Sequence, residues 1–278
     1  MIRPTNNLRA VKFFREAYPE RVSPPRKRRA ILKNYQMDRV FDIHNHILWG
    51  VDDGSKSIEM SLRMLKMAQD DGITDIILTP HNKPNRRNIY AVEQVERIDE
   101  LKRIARKEGI YINLYPGNEI FYRSDVSERL SIGKAASMAG SRYILLEYSP
   151  MDDWEHIKRG VEDMLMSGYF PIIAHVERYI NVMKETDRAY ELIDKGCYLQ
   201  INASSLMGEV GWQIKSKCKS MMKAGMVTFV ATDAHEDKKR TPTLSKCVKY
   251  ITGKYGEETA IKIFMDNPLS ILEDKIIR

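Results

Sequence analysis

Along most of the chain, segments with apolar residues at helical spacing give way, at a glycine, to short runs rich in β-branched residues. The runs are GITDIILTP, GIYINLYPG, GSRYILLEY, GYFPIIAHV, GCYLQINAS and GMVTFVATD, opening at Gly72, Gly109, Gly140, Gly168, Gly196 and Gly225. Glycine suits the residue just past a helix end, where a left-handed backbone strains any Cβ. With RVFDIHNH ahead of them, the runs predict seven strands. Between them, Ile58, Leu62 and Leu65 fall four and three apart, as do Ile157, Val161 and Met164, the core stripe of an amphipathic helix. Near-continuous apolar strands alternating with such helices predict a parallel sheet covered on both faces. Seven β/α units favour an α/β fold of the closed or nearly closed barrel type over an open sheet.

In α/β barrels the active site forms at the C-terminal ends of the strands. Here those ends carry His44 and His46, then His81, Glu119, Glu147, His175, Asn202, and Asp233 with His235. Each alone has a plain structural reading. His81 in TPHNKP can cap a loop, Glu119 in PGNEIF can be an acid at a helix start, and Asp233 in ATDAHE can be a turn residue. Together they form a pattern, because five of the six histidines stand at strand ends. The sixth, His156, falls in a helical stretch and is expected to be exposed, away from any site.

Convergent imidazoles and carboxylates without thiolate are the donor set of manganese, iron or zinc. With Asp53 from GVDDGSK, the candidate ligands are His44, His46, Asp53, His81, Glu119, Glu147, His175, Asp233 and His235. Nine is too many for one ion, and three divalent ions sharing bridging carboxylates would use them economically. Asp42 lies two residues before His44, hence on the same strand face, where it is placed to orient a ligand.

Composition narrows the class without naming the chemistry. The 278 residues allow one large domain or two ordinary ones. No apolar run approaches the ~18 residues of a membrane helix, and the first residues are charged where a signal peptide is apolar. The expected location is the cytoplasm. Cys197, Cys218 and Cys247 are too few and too scattered for a disulfide framework or zinc cage. The net charge of +7 is unevenly placed: residues 1–40 hold 11 Lys/Arg and 3 acids, the remainder 34 and 35. The basic character resides in an N-terminal extension, residues 1–36, that precedes a domain over residues 37–278. A nucleic-acid-binding module built on that extension is a competing reading, and the balanced body makes nucleic acid an unfavoured partner.

DIHNHILWGVDDGSKSIEMS, LYPGNEIFY, YILLEYS, IIAHVERY, GCYLQINASS and VATDAHEDKKRTP resemble the PHP (polymerase and histidinol phosphatase) metallophosphoesterases. Within that group they are most similar to the bacterial tyrosine-protein phosphatases of capsular and exopolysaccharide clusters. The resemblance covers roughly residues 39–270 and leaves out residues 1–36. It implies a distorted (β/α)7 PHP-type barrel, a trinuclear site commonly holding manganese, and hydrolysis of phosphotyrosine. It also implies a membrane-associated tyrosine kinase as the phosphotyrosine protein attacked. Near such a kinase the RKRR run of residues 1–36 has the charge to hold the enzyme peripheral to an anionic membrane, and the plain alternative is a solvated tail that the fold does not use. The nine positions above match the family's metal ligands, and Arg178 in HVERY and Arg240 in EDKKRTP match arginines placed on the phosphate. Asp53 stands where many small-molecule members have another histidine, which favours the tyrosine-phosphatase branch over hydrolysis of histidinol phosphate. The rival cysteine chemistry needs Cys-x5-Arg, yet Ala203, Ala224 and Gly253 follow the three cysteines at that distance.

Overall fold

The six glycines that open the predicted strands all lie at positive φ in the computed structural model, which describes residues 37–277. At Gly72 φ is 101°, and its N–H donates back to the carbonyls of Ala68 and Gln69, closing the preceding helix. The basic segment 1–36 lies outside the described residues.

The seven runs form parallel strands, but two of them are broken in the middle. The first gives β1 (Phe41–Asp42), the second β2 (Asp75–Leu78) and β3 (His81–Asn82), the third β4 (Asn113–Pro116) and β5 (Glu119–Phe121). The others give β6 (Tyr143–Glu147), β7 (Phe170–Ile173), β8 (Tyr198–Asn202) and β9 (Phe229–Ala231). The first break falls at Thr79 and Pro80, the second at Gly117 and Asn118 directly after Pro116, and a proline lacks the N–H a ladder needs. The sheet therefore divides into β1-β2-β4 and β3-β5-β6-β7-β8-β9. It curls until its ends meet, where Asp233 N–H donates to His44 O at 2.8 Å and His46 N–H to Ala234 O at 2.7 Å.

Strand periodicity sorts the core into two layers. Phe41, Ile77, Tyr143, Leu145, Ile172 and Phe229 pack in an inner cluster. Their neighbours Ile76, Leu78, Ile144, Leu146 and Ile173 join the outer cluster under the helices. The helices behind the strands include Ile58–Asp71, Ala91–Lys107, Trp154–Met166, Thr186–Asp194, Trp212–Lys223 and Ser245–Tyr255. Ile157, Val161 and Met164 are buried as their spacing predicts. In the first helix the buried face is Ser61, Met64, Leu65 and Ala68, so the predicted stripe is displaced, with Ile58 and Leu62 at its margin. Ser61 lies on that buried face with its hydroxyl satisfied, donating to Ser55 Oγ at 2.9 Å. Among the described residues no helix is long and apolar enough to cross a membrane.

Asp42 has a different task from the one its position suggests. It is wholly buried and accepts hydrogen bonds from Thr232 N–H (2.9 Å) and Thr232 Oγ1 (2.6 Å). It thus ties β1 to β9 across the seam and does not orient a ligand side chain. Burial raises its pKa to about 6, and the bonds from Thr232 offset only part of that push.

Candidate metal centre

All nine candidate ligands come together at the C-terminal end of the curled sheet. They form four overlapping groups among the described residues: His46, Asp53, His81 and His235; His44, His175 and Asp233; His44, His46 and Glu119; His81, Glu119 and Glu147. Within each group the potential ligand atoms lie within 4.8 Å of one another. Glu119 is the hub. Its Oε1 faces His175 Nε2 at 2.8 Å and His44 Nε2 at 3.3 Å, while Oε2 faces His81 Nδ1 at 2.6 Å and His46 Nε2 at 3.4 Å.

Local backbone aims the side chains. His175 (φ 33°) and Asp233 (φ 53°) are left-handed without being glycine. That conformation is strained for a residue with a Cβ and persists where its surroundings enforce it. Here Gln200 Oε1 accepts His175 N–H at 2.9 Å, and His44 O accepts Asp233 N–H. Asp53 is the most open ligand, with its side chain 68% exposed and 3.4 Å from His81 Nε2 and 3.5 Å from His235 Nε2. Its loop lies hard against His46: a Cβ on Gly54 would stand 2.1 Å from His46 O.

Three orienting side chains complete the arrangement. Gln200 Oε1, which can only accept, lies 3.0 Å from His44 Nδ1, so that nitrogen carries the proton and Nε2 faces the centre with its lone pair. Asp52 Oδ2 does the same for His46 Nδ1 at 2.6 Å. Asn202 donates to Asp233 Oδ2 at 2.8 Å and accepts from Gln200 Nε2 at 2.9 Å, linking two ligands through one polar chain. Sequence reasoning passed over Asp52 and Gln200. Gln200 left a signal, a polar residue within an apolar run, two before Asn202 and on its face. Asp52 left none beyond its neighbour Asp53.

The residues present fit divalent cations. His44 Nε2, His46 Nε2 and Glu119 Oε2 are buried without a hydrogen-bond partner. His81 Nδ1 and Glu119 Oε2 are close but not aligned as donor and acceptor, so proximity there is not a bond. Burial opposes charging of His44, yet Glu119 and Asp233 outweigh it and raise its pKa. Burial likewise opposes His46, and Asp52 foremost lifts it well above the ordinary value. Burial should keep Glu119 and Asp233 neutral, but His44 leads the groups that hold both well below the usual carboxylate range. Ionised carboxylates among imidazoles form a pocket that demands positive charge, which protons or metal ions can supply in competition.

At the rim, Arg178 and Arg240 reach the same atom, Asp233 Oδ2, at 3.1 and 2.8 Å. Both are partly open to solvent, 34% and 44%. Lys83 bonds to Glu147 Oε1 at 3.2 Å beside His81. His156 is exposed on its helix, against the rings of Tyr122 and Tyr148 and apart from the ligand groups.

Residues 40–273 match the family model described as capsular polysaccharide synthesis, CpsB/CapC. The chain is 32% identical over 243 residues to the tyrosine-protein phosphatase CpsB of Streptococcus pneumoniae, covering 86% of this chain and 100% of that protein. It is 32% identical over 246 residues to the tyrosine-protein phosphatase YwqE of Bacillus subtilis, covering 86% and 94%. A solved structure from work on YwqE of B. subtilis and CpsB of S. pneumoniae, described as unique metal-dependent tyrosine phosphatases, superposes with a TM-score of 0.80. It shares 30% identity and covers 86% of this chain and 96% of that one.

Proposed function

The chain belongs to the CpsB/CapC family of capsular polysaccharide synthesis, and from that premise we propose that it is a metal-dependent protein-tyrosine phosphatase acting on phosphotyrosine proteins. One observation carries the reading: five imidazoles and four carboxylates come together in overlapping groups with Glu119 as their hub, and unpartnered buried nitrogens face inward. His44, His46, Asp53, His81, Glu119, Glu147, His175, Asp233 and His235 are the proposed ligands of three divalent ions. Manganese is the first choice, with iron or zinc as alternatives. Glu119 would hold the ions at the middle of the set, its two oxygens facing different histidine pairs.

Such ions supply positive charge to phosphoryl oxygens and a water of lowered pKa. The chain's own part is to hold and orient. Gln200 and Asp52 hold the protons of His44 and His46 on Nδ1, which leaves Nε2 of each ring as the inward atom that a cation, in place of a proton, can occupy. Arg178 and Arg240 are the proposed clamp on the phosphoryl group, since a guanidinium offers paired donors that fit two oxygens. The leaving group is a phenolate, whose conjugate acid titrates near ~10, so departure requires no dedicated proton donor. A cysteine nucleophile has no place in this scheme. All three thiols are buried, and burial pushes their pKa values up, that of Cys247 to about 12.

The natural substrate in this reading is a membrane-associated tyrosine kinase of capsular or exopolysaccharide synthesis. The enzyme is placed in the cytoplasm, at the membrane periphery. Support for the placement comes from charge, since 11 Lys/Arg stand against 3 acids in residues 1–40.

The test is metal removal. A strong chelator should abolish hydrolysis of a phosphotyrosine peptide, Mn²⁺ should restore it, and elemental analysis of the restored protein should give about three ions per chain. Full activity in protein shown to be metal-free would end the proposal.

A further inference from the structure

A cavity of about 500 Å³ opens directly off the centre, sharing Asp53 and His81 with it. Its other wall is the loop after β3, and that loop is built rather than slack. Asn88 Oδ1 accepts Lys83 N–H at 2.8 Å, and Asn88 Nδ2 donates to Lys83 O at 2.8 Å. This pair of hydrogen bonds from one side chain to the backbone of one residue closes the loop, and Arg86 and Arg87 within it are exposed. A second cavity, about 380 Å³, continues past the same two arginines to Arg129 and Lys134.

The charges along this path are unequal in their partners. Lys83 is taken by Glu147, and Arg97 by Glu93 and the carbonyl of Trp49. Of the acids in the first cavity, Asp52 is committed to His46, Asp53 to the metal centre and Glu93 to Arg97. Arg86 and Arg87 have no carboxylate partner among the described residues, and Lys56 has only the carbonyl of Asp52 at 3.4 Å. The body of the chain is close to neutral, so an uncompensated basic channel leading from the centre is a local feature.

We propose that this channel is a specificity site for anionic groups flanking the scissile phosphotyrosine, with Arg86 and Arg87 as its reading residues. The inference rests on the phosphatase reading and deepens it. The first cavity is of the size that takes one or two side chains. Its ligand chemistry is a carboxylate or a second phosphate on the same peptide, to which guanidinium groups offer bidentate donors.

The test compares kcat/KM of the metal-loaded full chain on three peptides with one scissile phosphotyrosine. One has neutral flanks, one glutamate flanks and one a second phosphotyrosine. Wild type should prefer at least one anionic peptide about fivefold to tenfold over the neutral one, as expected for two exposed charge pairs. The preference should shrink as salt rises. In Arg86→Glu/Arg87→Glu that ratio should fall to one or below, and whichever anionic peptide loses its advantage identifies the source. Equal turnover of all three peptides by wild type, or an unchanged ratio in the variant, would overturn the channel alone. Hydrolysis of none of them by wild type would overturn the phosphatase reading and the channel with it.

Discussion

At the scale of single residues, the centre was legible wherever chemistry contrasts with its surroundings. A histidine or carboxylate closing an apolar run stands out, and the eight such residues meet in one centre with Asp53 from the loop after His46. The orienting residues were harder to read because their meaning depends on who faces them. Nothing in the string tells that Asp52, not Asp53, lies 2.6 Å from His46 Nδ1. Arg178 and Arg240 were placed by resemblance, and both stand at the rim against Asp233. If Arg178 grips the phosphoryl oxygens in the transition state, Arg178→Ala should raise the barrier by about 2–4 kcal/mol, the range for removing one such donor. Metal content should stay at the wild-type level, because a neutral side chain at the rim removes no ligand. His156→Ala is the matched control, since His156 is exposed and in none of the ligand groups. Steady-state rates on an aryl phosphate and elemental analysis check both, and a wild-type rate for the arginine variant would remove it from the mechanism.

At the scale of elements, the seven β/α units were legible from glycines and apolar runs, but the breaks within two strands were not. TPHN and YPGN read as strand ends, whereas the chain resumes pairing after each proline, as β3 and β5. The physical cause is local. Pro80 and Pro116 cannot donate to the ladder, and Gly117 lets the backbone pass where a Cβ would sit 3.0 Å from Ile77. The resumed segments carry His81 and Glu119, so the bend serves the centre. The opposite end of β2 has the reverse character. There Asp75 is buried and accepts from Arg39 Nε at 3.0 Å, Asn113 at 3.0 Å, Thr74 at 2.6 Å and Tyr115 at 3.2 Å. Buried charge at that end, away from the site at the strands' C-terminal ends, serves folding rather than chemistry. Asp75→Ala leaves the Arg39 guanidinium, only 12% exposed, without its partner. Breaking such a pair should cost about 3–5 kcal/mol of stability, read by urea denaturation. The folded variant should still bind metal at low temperature, and a loss under about 1 kcal/mol would show that the pair is not structural.

At the scale of the whole molecule, the excess positive charge and the candidate metal centre lie in different parts of the chain. Outside residues 1–40 the chain holds 34 bases and 35 acids, so the excess of +7 belongs to the N-terminal segment. All nine proposed ligands and both arginines lie within the described residues, and none lies in residues 1–36. Chemistry and basic segment are therefore separable by truncation. Basic residues near an anionic leaflet contribute about 1 kcal/mol each, so the proposed membrane role requires no more than the RKRR run to give weak, salt-sensitive attachment. Deleting residues 1–36 should leave hydrolysis of a small aryl phosphate within about twofold of the full chain, because no group that touches the phosphate is removed. The same deletion should weaken co-sedimentation with vesicles containing phosphatidylserine, and raising salt should abolish the difference between the two proteins, since screening acts on exposed charge first. Vesicle binding unchanged by the deletion would refute the membrane role of the segment. Loss of aryl phosphate hydrolysis in a folded, metal-loaded truncation would instead place residues 1–36 at the centre itself, against the separation that the charge distribution implies.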